Sequence, residues 1–137
     1  MSVGVATAGV TIPTEAQRRL TDEPLVAHLG TCSDGRPHVA PVWYRYDGDD
    51  VLEIVTTGRK LENLRENPRV ALSIQSDEGG DPDWTITLLG TATVVDDEEQ
   101  SVTARHRIHE RYGADPDAYD ENVLVRIKIG TANYQTY

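Results

Sequence analysis

Leu25-Val26-Ala27-His28-Leu29-Gly30-Thr31-Cys32-Ser33-Asp34-Gly35-Arg36-Pro37-His38-Val39-Ala40-Pro41-Val42-Trp43-Tyr44-Arg45-Tyr46 reads as two strands folded about a turn. Leu25, Ala27, Leu29 and Thr31 share one face at period two, and Val26, His28 and Gly30 share the other. Ser33-Asp34-Gly35-Arg36-Pro37 is built from residues that favour turns. Folding residues 38–46 back about it sets Ala40, Val42 and Tyr44 opposite Leu29, Ala27 and Leu25. The two apolar sets then coincide, which predicts an antiparallel hairpin.

The same reading extends in both directions. Asp47 to Asp50 is a second turn, and Val51 to Thr57 a third strand. The period then changes: Gly58-Arg59-Lys60-Leu61-Glu62-Asn63-Leu64-Arg65-Glu66 spaces its leucines three apart and stops at Asn67-Pro68, predicting a two-turn helix. A fourth strand covers residues 69–75, a polar loop 76–82, and a long fifth strand 83–95, where Thr85, Thr87, Thr91 and Thr93 share a face. Gly90 within it predicts a bend or bulge. Asp96-Asp97-Glu98-Glu99 opens a helix that Gly113 stops, with acid at its start and arginine towards its end, as the helix dipole favours. Residues 122–129 form a sixth strand, with Val123, Val125, Ile127 and Ile129 inward, and residues 131–137 a polar tail. Upstream, Thr14 follows Pro13 as a cap for a helix over 14–20, and residues 1–12 read as a flexible arm without the basic start of an export signal. The sum is mainly β: one domain over 13–137, a six-stranded antiparallel barrel, closed or nearly so, with a few short helices.

Composition narrows the function. Acids number 23 against 13 bases, for a net charge of -10, and only Lys60 and Lys128 are lysines. Acid spread along the whole chain predicts a halophilic surface held soluble by its charge, and it argues against a nucleic-acid partner, which needs a basic footprint. No apolar run of about 18 residues is present, so no membrane-spanning helix is expected. The single cysteine, Cys32, makes no internal disulfide, and a cytoplasmic location follows as the expectation.

Thr56-Thr57-Gly58-Arg59-Lys60 is the most informative segment for chemistry. It lies where a strand enters a helix. Helix N-termini carry free N–H groups and partial positive charge, so Arg59 and Lys60 oppose the dipole there. An anion at the junction relieves the misfit, gripped by threonine hydroxyls, backbone N–H groups and two cations. The alternative is a solvated face on which they pair with Glu62 or Glu66. Pro41 is the second oddity: it donates no ladder bond, so it marks an edge or a bulge.

These segments resemble the FMN-binding split-barrel family, whose members are related to pyridoxamine 5'-phosphate oxidase. The likeness rests on His38-Val39-Ala40-Pro41-Val42-Trp43-Tyr44 after its turn, and on Thr56 to Leu64 running through Asn67-Pro68-Arg69-Val70-Ala71-Leu72; it spans about residues 20 to 130. The resemblance implies that Arg59 and Lys60 hold a cofactor phosphate with Thr56 and Thr57 nearby. It implies backbone around His38, Val39, Ala40 and Pro41 against the flavin ring, and Trp84 and Thr85 approaching from the fifth strand, from either subunit of a homodimer. Residues 131–137 do not resemble the Arg-, His- and Trp-rich substrate segment of the true oxidases, and His38 and Trp43 stand where those carry basic residues. A different small-molecule substrate is implied, as in the flavin- or deazaflavin-dependent oxidoreductase subgroup. The cofactor is FMN or, alternatively, an 8-hydroxy-5-deazaflavin coenzyme. The competing functions are a non-enzymatic flavin carrier or sensor, and a haem-binding split barrel using His28, His38 or His106.

Three constellations carry less. His106 and His109 are three apart but lack a third metal ligand, so no metal is expected. Cys32 lies about 13 Å along its strand from His28 at about 3.3 Å per residue, too far for a nucleophilic pair. Trp43, Tyr44 and Tyr46 lack the cluster of basic neighbours that a nucleic-acid platform needs. No catalytic acid or base is named, because a flavin carries its own hydride chemistry.

Overall fold

The computed structural model describes residues 11–137, so most of the expected N-terminal arm, residues 1–10, lies outside the described residues. Ile12, the last residue assigned to that arm, packs into the core. The elements are α1 (Thr14–Asp22), β1 (Ala27–Ser33), β2 (Arg36–Val42), β3 (Arg45–Tyr46), β4 (Val51–Thr56), α2 (Gly58–Glu66), β5 (Arg69–Glu78), β6 (Asp81–Val95), α3 (Glu98–Tyr112) and β7 (Val123–Thr136). The seven strands form one antiparallel sheet in the order β2-β1-β5-β6-β7-β4-β3.

That order, with one short connection, forces the curl. β2 and β3 lie at opposite edges of the sheet, yet only Trp43 and Tyr44 join them. Three residue steps span at most about 11 Å, so the two edges must meet. The sheet therefore rolls up without its edges pairing, leaving a split between β2 and β4. The sequence predicted six strands; the seventh arises because the second strand breaks at Trp43-Tyr44, where the chain crosses the split.

The first hairpin has the predicted register, with Leu29 opposite Ala40 and Ala27 opposite Val42. Leu25 and Tyr44 fall outside the ladder because β1 starts at Ala27. The tail expected to be irregular is strand: residues 131–136 of β7 pair with residues 84–89 of β6. The polar loop expected over 76–82 shrinks to a tight turn at Gly79-Gly80.

Gly90 does sit at an irregularity. Leu89 pairs with Thr131 and Gly90 with Ile129, so Gly130 is the extra residue of a β-bulge, which bends the two longest strands. A Cβ on Gly90 would lie 2.6 Å from the Lys128 carbonyl oxygen, so the close approach of β7 requires glycine there.

Two apolar clusters hold the molecule together. The larger fills the barrel, with Leu29, Tyr44, Ile54, Leu72, Trp84 and Ile127 among its members, and α1 closes one end with Ala16 and Leu20. The smaller lies outside the barrel, where α3 sets Ala104 and Ile108 on Val55 and Leu124. This explains why β4 is buried on both faces and why Leu124, predicted to face outward, is also buried. Pro13, not Thr14, holds the cap position of α1. The C-terminus of α1 is held from a distance: the Arg111 guanidinium donates to the carbonyls of Leu20, Thr21 and Glu23 at 2.9, 2.6 and 3.0 Å. α3 starts as predicted, with the Asp97 side chain accepting from Gln100 N–H, and ends at Gly113 in a left-handed conformation.

Candidate functional site

A groove of about 480 Å³ opens at the split. Pro41, Val42 and Trp43 form one side, at the end of β2, and Val55, Thr56 and Thr57 the other, at the end of β4. Lys60 of α2 stands at its polar end. His109 of α3, with Tyr119 and Asn122 from the connection to β7, closes the far side. The volume suits a small organic ligand, and the lining is mostly apolar with few polar groups, as ligand sites are.

Local sequence fixes the polar end. Thr57 occupies the cap position of α2 in an extended conformation, and its side chain makes no capping bond. No acid stands in the first turn. Gly58 follows with φ +70°, in open space where a side chain would be strained by backbone alone. A left-handed residue entering a helix turns successive N–H groups towards one point, a geometry that binds anions. Neither Arg59 nor Lys60 has a carboxylate partner among the described residues. The pairing with Glu62 or Glu66 weighed above does not occur; Glu66 instead accepts from the Ser33 hydroxyl at 2.7 Å.

The helix that carries this terminus is tied down. Buried Asn63 donates to Thr31 Oγ1 at 3.1 Å, pinning α2 to β1. Arg65 grips Asp96 with two bonds, at 2.9 and 2.7 Å.

The far end is aromatic. Trp43 stacks on Tyr112, with centroids 4.8 Å apart and planes at 10°, and meets His109 edge-on at 6.1 Å. His109 is 1% exposed, and its Nδ1 lies 3.3 Å from the Pro116 carbonyl oxygen. A carbonyl only accepts, so Nδ1 is the donor in this contact. Tyr112 accepts from Tyr44 N–H and donates to the Leu25 carbonyl, and burial raises its phenol pKa above the ordinary range.

The residues singled out in the sequence divide among several places. Pro41, Thr56, Thr57 and Lys60 come together in the groove. His38 and Arg59 border a second, more polar depression of about 670 Å³ on the other side of α2, with Arg36 and Glu62. Consecutive helical residues point about 100° apart, so Arg59 and Lys60 straddle the helix start. Val39 and Pro41 face outward on the edge strand, while Ala40 turns inward, half-buried. Trp84, expected beside a cofactor, is 0% exposed in the barrel core, beneath the Arg19 guanidinium at 5.5 Å. Thr85 is half-buried and bonds to Gln75 and Tyr137, away from the groove. His109, Tyr119 and Asn122 were not anticipated as site residues. His109 and Arg105 lie on the buried stripe of α3 with Ala104 and Ile108. Polar residues in an apolar helical stripe are the signal that could have found His109. For Tyr119 the sequence offers none.

The outer face of the sheet is also distinctive. Cross-strand pairing aligns Pro41, His28, Ser73, Thr87 and Asn133 in one row, and Val39, Gly30, Ala71, Leu89 and Thr131 in the next. All ten are exposed or half-exposed, and none is an acid, a lysine or an arginine, on a chain of net charge -10.

Among the described residues no group of three or more His, Cys, Asp or Glu side chains is placed to hold a metal, and no helix is long and apolar enough to cross a membrane. The uncharacterized protein RA0666 of Rhizobium meliloti (strain 1021) is 33% identical over 49 residues, covering 36% of this chain and 32% of that protein, so the match spans about a third of its length. An F420 reductase structure superposes with a TM-score of 0.71 at 25% identity, covering 85% of this chain and 94% of that one. HutZ, the heme storage protein from Vibrio cholerae, reaches 0.73 at 18% identity, with 92% and 95% covered, a likeness of fold alone. The model of the pyridoxamine 5'-phosphate oxidase family matches residues 13–135, nearly all of the described structure, and the chain belongs to that family.

Proposed function

We propose that the split groove binds a phosphate-bearing flavin-type cofactor, FMN or an 8-hydroxy-5-deazaflavin, and that the protein is an oxidoreductase acting on a small molecule. The observation that carries this is the start of α2. An uncapped helix terminus, a left-handed Gly58 and the unpaired Lys60 beside the buried Thr56 form a cradle suited to an anion. Likeness to an F420 reductase adds support for the flat-ringed cofactor.

In this reading Lys60 and the N–H groups after Thr57 hold the phosphate. Val42, Trp43 and Val55 exclude water from the ring, and Pro41, which offers no N–H, lets a flat ring approach the edge strand. When bound, the cofactor supplies the hydride chemistry. Nothing in the chain is assigned as catalytic acid or base.

A second copy of the chain belongs to the same proposal. Interface cores are depleted in charge, and two rows of five uncharged outer positions suit a homodimer laid face to face. Thr85, outside the groove in one copy but two residues from Thr87 of that face, is then available to a partner's ligand. The acid excess supports a protein working at high salt, and the single cysteine supports a cytoplasmic one.

The test is an FMN and deazaflavin titration of the Arg59→Ala/Lys60→Ala double variant. A charge-assisted bond contributes about 1.5–3 kcal/mol, so the variant should bind at least about tenfold more weakly. Unchanged affinity at an unchanged melting temperature would refute the phosphate cradle.

A further inference from the structure

Tyr119 is the one bulky residue whose backbone is left-handed, with φ +55° among the described residues. The only other non-glycine there is Asp34, in the β1–β2 turn, a residue type that tolerates the region. A tyrosine does not: its Cβ crowds the backbone, and such strain persists only where something repays it. Local structure imposes the strain, since Asn122 N–H closes a turn onto the Tyr119 carbonyl at 3.0 Å and Ala118 N–H another onto Asp115 at 3.1 Å.

Burial does not repay it. Tyr119 is 63% exposed, among the most exposed large apolar or aromatic residues described. It touches its neighbours only edge-on, Trp43 at 6.4 Å and 86° and His109 at 5.9 Å and 70°. It therefore stands up from the mouth of the groove, with a free face beside the opening. The sequence offers glycine-tolerant positions in plenty, so a strained, exposed tyrosine at the rim needs a role outside the folded chain itself.

We propose that Tyr119 is a ring-positioning residue: its face stacks on the flat conjugated ring of the bound ligand, opposite the Lys60 end, and so sets which ring systems the groove accepts. The inference rests on the reading of the groove as the cofactor site. Stacked aromatic pairs prefer an offset arrangement, and the edge contacts with Trp43 and His109 fix the ring plane before the ligand arrives.

The test compares the wild type with Tyr119→Gly and Tyr119→Phe, titrated with FMN and with the phosphorylated 8-hydroxy-5-deazaflavin by ligand fluorescence, with melting temperatures measured alongside. Tyr119→Gly should melt at or above the wild-type temperature, since glycine accepts the left-handed turn. It should bind about five- to tenfold more weakly and quench less of the ligand's emission. Tyr119→Phe should bind within about twofold of wild type, because the ring is kept. Wild-type binding with Tyr119→Gly unchanged in affinity and quenching would overturn this inference and leave the site standing. A lower melting temperature for Tyr119→Gly with unchanged quenching would make Tyr119 structural. A wild type that binds neither ligand would overturn the site and this inference together.

Discussion

Replacing Gly90 with alanine tests the account of how the barrel bends. A Cβ built there lies 2.6 Å from the Lys128 carbonyl oxygen, 2.9 Å from Ile127 Cγ2 and 3.3 Å from the Lys128 carbonyl carbon. Ordinary contact begins at 3.4 Å, so the overlap with the oxygen is about 0.8 Å. Two of the three atoms belong to the β7 backbone, which cannot rotate aside. Relief requires β6 and β7 to part where the ladder is already broken by the bulge. Overpacking of this kind costs about 2–3 kcal/mol, against a total stability of about 5–15 kcal/mol. At roughly 3–4 °C per kcal/mol for a domain of this size, the melting temperature should fall by roughly 6–12 °C. Gly130, the bulged residue itself, is the control. Its Cβ would meet only the Leu89 carbonyl oxygen at 3.5 Å, and its φ is not left-handed. Gly130→Ala should leave the melt unchanged or raise it slightly, since alanine stiffens the unfolded chain. Paired thermal and urea melts decide. Equal effects at the two positions, or a harmless Gly90→Ala, would refute the close approach of β7 to Gly90.

Three further outcomes follow from the structure. Leu89→Glu places a charge at the centre of the uncharged outer face, where Leu89 is 56% exposed; sedimentation should show a homodimer become a monomer, and a wild type that is itself monomeric would contradict the face-to-face pairing. Arg111→Ala removes three bonds to the end of α1 and the guanidinium over the Tyr44 ring at 5.2 Å, and should cost about 2 kcal/mol, read by urea titration. Burial raises the Tyr44 and Tyr112 phenol pKa values in the folded state. A raised folded pKa means stability fully present below the unfolded value of about 10 and lost as pH rises beyond it, by up to about 1.4 kcal/mol per pH unit for each proton the unfolded chain alone releases. Denaturant midpoints should therefore fall above about pH 10, and less steeply in Tyr44→Phe; midpoints flat to pH 11 would contradict the burial of these phenols.

The parts of the fold legible in the sequence are those that local chemistry decides. The β1–β2 register followed from period-two alternation about a turn, and α2 from its leucine spacing and the Asn67-Pro68 stop. The break at Trp43-Tyr44 was hidden because both residues suit a strand; the chain leaves β2 there only because the opposite edge of the sheet has curled to meet it. Residues 131–136 looked like a tail because small polar side chains carry no apolar period, yet backbone pairing with β6 needs none. The site divides in the same way. The α2 terminus was visible as two cations where a dipole forbids them. Its aromatic wall was not, since Trp43, His109 and Tyr119 meet only after α3 has packed across β4 and β7.

The central claim is that the split holds a flat ring anchored by its phosphate. The most direct measurement is a side-by-side fluorescence titration of the wild-type protein in high salt with FMN and with riboflavin, which differ only in the phosphate. The account predicts saturable FMN binding near one per chain, with riboflavin at least about tenfold weaker. Equal affinity for the two, or riboflavin binding more tightly than FMN, would contradict it.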